Sequence, residues 1–284
     1  MSKINLSSKI FVDGADPEET RETKRLLGFV DGQTTNPTLV SKNPAARERI
    51  EKREKFTREE IYHFYKEVVN KIAKITQGPI SVEVYADSET KAEQMLEEAR
   101  EMQNWIDNAY IKFPITKEGL KAAHFAVKEG IPINMTLCFS QEQAAAVYAA
   151  TLGAKKPIFV SPFVGRLDDR GENGMELVFN IIRMYQIGDG HVLPLTASVR
   201  NLEHLLYAIQ IGSPLITVPF KVIKEWAENG FVLPDEKFNY QPNLKPIDYK
   251  EIALDKNWQD YDPSHDLTDI GVEKFSRDWK NLIR

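Results

Sequence analysis

Apolar and polar residues follow two rhythms along this chain. Short runs of period two, bounded by turn residues, alternate with longer stretches in which apolar positions recur every three or four residues. Eight runs of the first kind can be read: KIFVDG, ending at Asp13, then FVDGQTTN, ISVEVY, YIKFP, PINMTL, PIFVSP, HVLPLTAS and PLITVP. Between them lie the helical patterns PEETRETKRLLG, a charged stretch over 57–75, a stretch over 88–103, KEGLKAAHFAVKEG, QEQAAAVYAATLGA, MELVFNIIRMYQIG and LEHLLYAIQIG. The 88–103 helix opens on Ser-Glu-Thr-Lys, a capping signal, and carries Ala, Met, Leu and Ala on one face. Gly130, Gly153, Gly188 and Gly212 fall where helices should stop on a left-handed residue. Strands alternating with crossover helices predict an α/β fold with a parallel sheet, and eight such units predict a single (β/α)8 TIM barrel. The length, 284 residues, suits one such catalytic domain over 1–284.

After the eighth strand the pattern changes. Residues 229–264 are rich in Pro, Asp, Asn and aromatics without clear periodicity, and read as an ordered irregular excursion packed over one barrel face. The stretch 267–284 is again helical in pattern, with Ile270, Val272, Phe275, Trp279 and Leu282 as its apolar stripe. The run ARERIEKREKFTREE carries both charge signs densely, which predicts a solvated face with internal ion pairs.

Composition narrows the function classes. A net charge of -5 disfavours a general nucleic-acid or acidic-membrane binder, so any anion site must be local. The opening MSKINLSSKIFVDG has no apolar leader core, and no stretch approaches the ~20 apolar residues of a membrane helix, so a cytoplasmic protein is expected. The single cysteine, Cys138, sits in the apolar run INMTLCF and reads as a buried structural thiol. Five His residues show no metal-ligand spacing.

Candidate chemistry emerges when strand side chains are placed on alternate faces. Glu83 lies between Val82 and Val84, and Lys112 between Ile111 and Phe113. Asn134 and Thr136 share one face, and Ser198 and Arg200 share another. Barrel interiors are filled by branched apolar residues, so six inward polar positions on four strands are hard to explain by packing alone. A functional site at the strand ends is the simpler account of the set, although a strand-end lysine taken singly is more often a solvated rim cation.

Six segments, DGQTTNPTLV, SVEVYA, YIKFPIT, EGIPINMTLCFS, FVSPFVGRLDD and TASVRN, occur in order at predicted strand ends and together resemble the transaldolase family. The terminal LTDIGVEKFSRDW resembles the closing helix of that family's shorter members. The family carries its Schiff-base lysine on strand four, where Lys112 falls, whereas other class I aldolases carry it on strand six. The resemblance implies that Asp13 is the base at the breaking bond, and that Glu83 and Thr136 hold a catalytic water. It implies that Asn36, Asn134 and Ser161 hold donor hydroxyls, and that Arg166, Ser198 and Arg200 form the phosphate site. Its substrates would be ketose and aldose phosphates of the pentose phosphate pathway, its assembly a homo-oligomer of open order, and its chemistry would require neither metal nor organic cofactor. Fructose-6-phosphate aldolase, a relative releasing free dihydroxyacetone, typically carries Gln at the Glu83 position and Tyr at the Phe163 position, so both residues here favour transfer. A sulfonated or other anionic sugar donor and a non-catalytic sugar-phosphate-binding barrel stay open as alternatives. A metal-assisted class II aldolase is disfavoured by the absence of a His cluster.

Overall fold

The computed structural model describes residues 6–284; the opening five residues of the amino-terminal segment read above lie outside the described residues. Eight parallel strands close into a barrel in chain order: β1 (Lys9–Asp13), β2 (Gly32–Thr34), β3 (Ile80–Glu83), β4 (Ala109–Pro114), β5 (Ile133–Cys138), β6 (Ile158–Pro162), β7 (Val192–Thr196) and β8 (Leu215–Val218). The seam is β1 on β8, with Ile10 opposite Ile216, so no strand edge is left free. The predicted (β/α)8 barrel is thus the architecture of the chain.

The helices start where the capping chemistry places them. Asp16 accepts from the Glu18 amide and Pro17 takes the first position of α1 (Pro17–Leu27). The β2–β3 connection carries α2 (Pro37–Ser41), α3 (Pro44–Glu51) and α4 (Arg58–Ala73), the last opened by a reciprocal Thr57/Glu60 capping box. Next come α5 (Ala92–Met102), α6 (Lys117–Lys128), α7 (Gln141–Ala150), a short α8 (Val164–Asp168) leading into α9 (Gly174–Tyr185), α10 (Leu202–Gln210) and α11 (Phe220–Glu228). The helix expected over 88–103 begins only at Ala92. Asp87 draws the preceding residues into a turn, accepting from the Glu89 amide and the Thr90 hydroxyl, so the Ser-Glu-Thr signal serves a loop. Gly130, Gly153 and Gly212 take the expected left-handed φ of 76°, 82° and 69°. Gly188 does not: it makes room for the Tyr148 ring, which a Cβ would meet at 2.7 Å, and Gly190 supplies the left-handed turn.

Inside the barrel, Phe11, Tyr110 and Phe159 fill the end away from the strand C-termini. Tyr110 and Phe159 stack at 4.3 Å, and Phe11 meets Phe159 edge-on at 6.0 Å. Two residues further along these three strands stand Asp13, Lys112 and Ser161, so strand alternation sets the polar layer directly above an aromatic floor.

The excursion over 229–264 departs from the expectation of a loop across one barrel face. It runs outside the helical layer, where Tyr240 stacks on Tyr207 of α10, Lys245 exchanges backbone bonds with Gly171 and Asn173, and Lys250 is bonded both ways to Gln141 of α7. The irregular backbone thus satisfies its polar groups on helix starts instead of on a strand. The charged run pairs Arg49 with Glu60 and Lys52 with Glu48, as expected, but it also buries Phe56 beneath the Arg49 guanidinium.

The last helix, α12 (Asp266–Lys280), stops short of the expected 267–284, because the Phe56 amide donates to the Leu282 carbonyl and the Arg284 amide to the Phe56 carbonyl, drawing the final residues into an extended bridge. Val272, Phe275, Trp279 and Leu282 are buried as expected, whereas Ile270 is 54% exposed. The buried side runs through Thr268, Gly271, Phe275 and Trp279, and Ile270 falls about 140° away from Phe275 at ~100° per residue. Trp279 packs edge-on against Tyr62 and Tyr65 of α4 at 5.7 and 5.9 Å. Trp279→Ala is therefore expected to cost about 3–5 kcal/mol in urea unfolding, and a loss below about 1 kcal/mol would contradict this packing.

Candidate active site

At the strand C-termini a cavity of about 180 Å³ is lined by Asp13, Asn36, Lys112, Ser161, Phe163, Arg166, Ser198 and Arg200, eight of the eleven sequence candidates. Of the other three, Glu83 and Asn134 meet the lining residues Lys112 and Ser161, and Thr136 follows two residues after Asn134 on β5. Lys112 is 3% exposed; its Nζ stands 3.0 Å from Glu83 Oε2 and donates to the Thr35 carbonyl at 3.1 Å. Ser161 donates to Asn134 Oδ1 at 2.7 Å, and Asn134 Nδ2 donates in turn to Ser81 at 3.0 Å. A wider groove of about 910 Å³ between α4 and α5 contains none of the candidates and lies apart from this chemistry.

The amine is surrounded by a fixed polar frame. The Glu83 amide donates to the Tyr65 hydroxyl at 3.0 Å; Tyr65 bonds Thr35, and the Thr35 hydroxyl donates to the Ser81 carbonyl at 2.7 Å. Because Thr35 spends its one proton on Ser81, the Tyr65 hydroxyl must donate to Thr35. This chain ties α4 to the β2 and β3 backbone beside Lys112, and a satisfied buried network of this kind holds its members in one geometry. Beyond it, Glu83 Oε2, although close to Lys112, lacks a well-aligned hydrogen bond, and Thr136 Oγ1 has no partner among the described residues; both atoms are fully buried.

Burial pushes both carboxyls of the site above their ordinary values. For Glu83 the desolvation is opposed by Lys112; for Asp13 it is opposed by Lys112, then by the Thr34 hydroxyl, which donates at 2.9 Å, then by Lys42 and Arg200. The two carboxyls therefore take up and release protons at higher pH than solvated acids. Asn36 uses its Oδ1 to cap α2 through the Leu39 amide at 2.9 Å, leaving its Nδ2 hydrogens for the cavity. Cys138 is buried, with its thiol pushed up to about 12, which agrees with an inert structural role.

The cationic end of the cavity is built with little slack. Arg166 lies between the rings of Phe163 and Phe275, 5.3 and 5.2 Å from their centres, and burial lowers its guanidinium from its ordinary value. Its Nη1 is buried without a partner among the described residues. Ser198 and Arg200 do not share a strand face as expected, because β7 ends at Thr196 and Ser198 turns left-handed at φ 58°. Both nonetheless reach the cavity, and Gly165 lets them: a Cβ there would stand 2.1 Å from Arg200 Nε and 2.6 Å from the Ser198 carbonyl. Arg200 pairs with Asp169 at 2.8 Å, and its amide donates to Nδ1 of buried His204, whose Nε2 faces Asp168 at 2.9 Å.

Several participants were not among the sequence candidates. Thr34, Lys42, Thr217, Lys274 and Phe275 also line the cavity. Thr34 stood one residue from the TN pair of the motif and could have been found by strand alternation, since Asp13 and Thr34 are register partners. Lys274 and Tyr65 lie on helices distant in sequence, and nothing in the local pattern marks them. Among the described residues no group of three or more His, Cys, Asp or Glu side chains is arranged for a metal ion, and no helix is long and apolar enough to cross a membrane.

Comparison with known proteins agrees with this geometry. The family model described as Transaldolase/Fructose-6-phosphate aldolase matches residues 10–284. A protein named "Probable transaldolase" from Caldicellulosiruptor saccharolyticus is 37% identical over 275 residues, covering 96% of this chain and 98% of that protein. One of the same name from Brucella ovis is 39% identical over 271 residues, covering 95% and 96%. Another from Methanococcus vannielii is 37% identical over 271 residues, covering 95% and 97%. With a family model spanning nearly the whole barrel and relatives matched end to end, the chain belongs to the transaldolase/fructose-6-phosphate aldolase family.

Proposed function

We propose that the protein is a transaldolase that moves a three-carbon dihydroxyacetone unit from a ketose phosphate to an aldose phosphate through a Schiff base on Lys112. The observation that carries this reading is the buried amine of Lys112 on β4, held against Glu83 and sharing one small cavity with Asp13. The neutral amine adds to the ketone carbon of the donor, and the carbonyl oxygen takes a proton to give a carbinolamine. A water held by Glu83 and Thr136 passes a proton to that hydroxyl; the C–O bond breaks, water leaves, and the nitrogen lone pair completes a protonated imine.

Asp13 then takes the proton of the hydroxyl beside the bond to be broken. The C–C bond electrons flow into the imine, an aldose phosphate departs, and a three-carbon enamine remains on Lys112. Attack of the enamine on the acceptor aldehyde, with the proton returned by Asp13 to the new hydroxyl, reverses the sequence on a second sugar. In this reading Asn36 and Ser161 of the cavity lining bind donor hydroxyls with Asn134 bonded behind Ser161, while Arg166, Ser198 and Arg200 meet a phosphate with charge-assisted hydrogen bonds. Phe163 lines the cavity without a phenolic proton to quench the enamine, which favours transfer over release.

The direct test is turnover of fructose 6-phosphate with an aldose phosphate acceptor. New ketose phosphate is expected from wild type, with a loss of at least about a thousandfold in Lys112→Ala. Free dihydroxyacetone with no transfer would move the reading to the aldolase branch, and neither product from any phosphoketose would overturn it. The acid side of the pH profile tests Asp13. Burial raises this carboxyl and the Thr34 hydroxyl pulls it back, so a base that must be ionised loses activity as pH falls through a value above the ordinary 3.8. Thr34→Val removes the opposing bond, raises Asp13 further and is expected to move the acid limb of kcat/KM to higher pH. A limb that stays in place or moves down would contradict the assignment.

A further inference from the structure

One face of α12 grips two parts of the site that no sequence pattern connects with it. Thr268, Gly271, Val272 and Phe275 follow one another at helical spacing on the side turned to the barrel. The Thr268 hydroxyl donates to the Leu137 carbonyl at 2.9 Å and accepts from Gln143 Nε2 at 2.8 Å, both bonds buried. Gln143 of α7 also accepts from the Phe139 amide at 2.7 Å and donates to the Pro263 carbonyl at 2.9 Å, joining the end of β5 to the chain entering α12. Leu137 is the residue after Thr136; it takes a left-handed φ of 62° within the register shift between Met135 and Cys138. An L residue does not hold that conformation unless its surroundings impose it. Returning Leu137 to extended backbone would re-aim its neighbours, since a bulge decides which side chain faces inward.

Three residues along the same face, Gly271 sits where a Cβ would stand 2.6 Å from Arg166 Nη1 and 2.7 Å from a Leu137 methyl. Arg166 is thereby confined between a side-chain-free patch of α12 and the ring of Phe275.

We propose that Thr268 and Gly271 are positioning residues: Thr268 fixes the kink at Leu137 and so aims the Thr136 hydroxyl, and Gly271 sets the guanidinium of Arg166. The inference rests on the transaldolase reading, in which Thr136 serves the dehydration water and Arg166 the phosphate. The two contacts separate kinetically. Loss of the Thr268 hydroxyl leaves the Leu137 carbonyl unpaired, frees the kink and slows the steps served by Thr136 without touching phosphate binding. A methyl at position 271 presses on Leu137 as well as displacing Arg166, but only the displaced guanidinium discriminates against phosphorylated substrates, so its effect is read in their ratio to unphosphorylated ones.

The test uses full-length T268V, T268S and G271A beside wild type, each checked by thermal melting. T268V is expected to lower kcat by about tenfold or more with KM for fructose 6-phosphate changed less than about twofold, and to slow the formation of borohydride-trappable adduct in a single turnover. T268S is expected to restore both to within about threefold, because it keeps the hydroxyl. G271A is expected to lower the ratio of kcat/KM for fructose 6-phosphate to that for unphosphorylated fructose by about tenfold. Equal kcat in wild type and T268V, failure of T268S to rescue, or an unchanged ratio in G271A would overturn the inference. If T268V does not fold, T268A carries the same expectation. Wild type that forms no adduct would defeat the Schiff-base reading itself, and this inference with it, whereas normal wild-type trapping with unaltered variants would defeat the inference alone.

Discussion

The Lys112 amine and the Glu83 carboxyl, both almost removed from water and 3.0 Å apart at the end of the barrel, set the terms for the rest of this molecule. Taking two charges out of water costs several kcal/mol per ion, and their attraction offsets that cost only when the geometry is good and the remaining polar groups are met. The surrounding architecture supplies those conditions. The closed sheet fixes β3 and β4 in register, with Glu83 opposite Lys112. The aromatic floor of Phe11, Tyr110 and Phe159 fills the space beneath the pair, and the Thr35, Tyr65 and Ser81 bonds hold the backbone beside it. A site of this kind is assembled by long-range pairing, which is why its residues are spread over seven strands, the segment after β7 and several helices.

The same economy operates at the cationic end. Arg166 and Arg200 approach each other in a small volume because residues that would crowd them are glycines, Gly165 for one and Gly271 for the other. Each guanidinium has protein support of a different type: two aromatic faces for Arg166, and Asp169 with the His204 and Asp168 pair behind the Arg200 loop. Arg166 is thus the drier of the two guanidinium groups, while Arg200 stays half-exposed.

Strand alternation and turn punctuation made the barrel legible in the sequence, because a parallel barrel repeats one local rule eight times. Candidates on strands, such as Glu83, Lys112 and Asn134, were legible for the same reason. Positions beyond strand ends obeyed other rules: Ser198 turns left-handed, so its shared face with Arg200 was the wrong description although both reach the cavity. Tyr65, Lys274 and Gly271 were hidden because each acts from a helix whose own pattern reports only that it packs on something. Ile270 was placed on the buried stripe since apolar character alone cannot tell which side of a helix meets the barrel when Thr and Gly occupy that side. The excursion over 229–264 lacks periodicity because it satisfies its backbone on the starts of other helices, one contact at a time.

The central claim is that Lys112 carries the substrate covalently, and peptide mapping after borohydride reduction with fructose 6-phosphate tests it most directly. The account predicts a single stabilised adduct of dihydroxyacetone size on the peptide containing Lys112. Modification at a different lysine, or none with any phosphoketose, would contradict it.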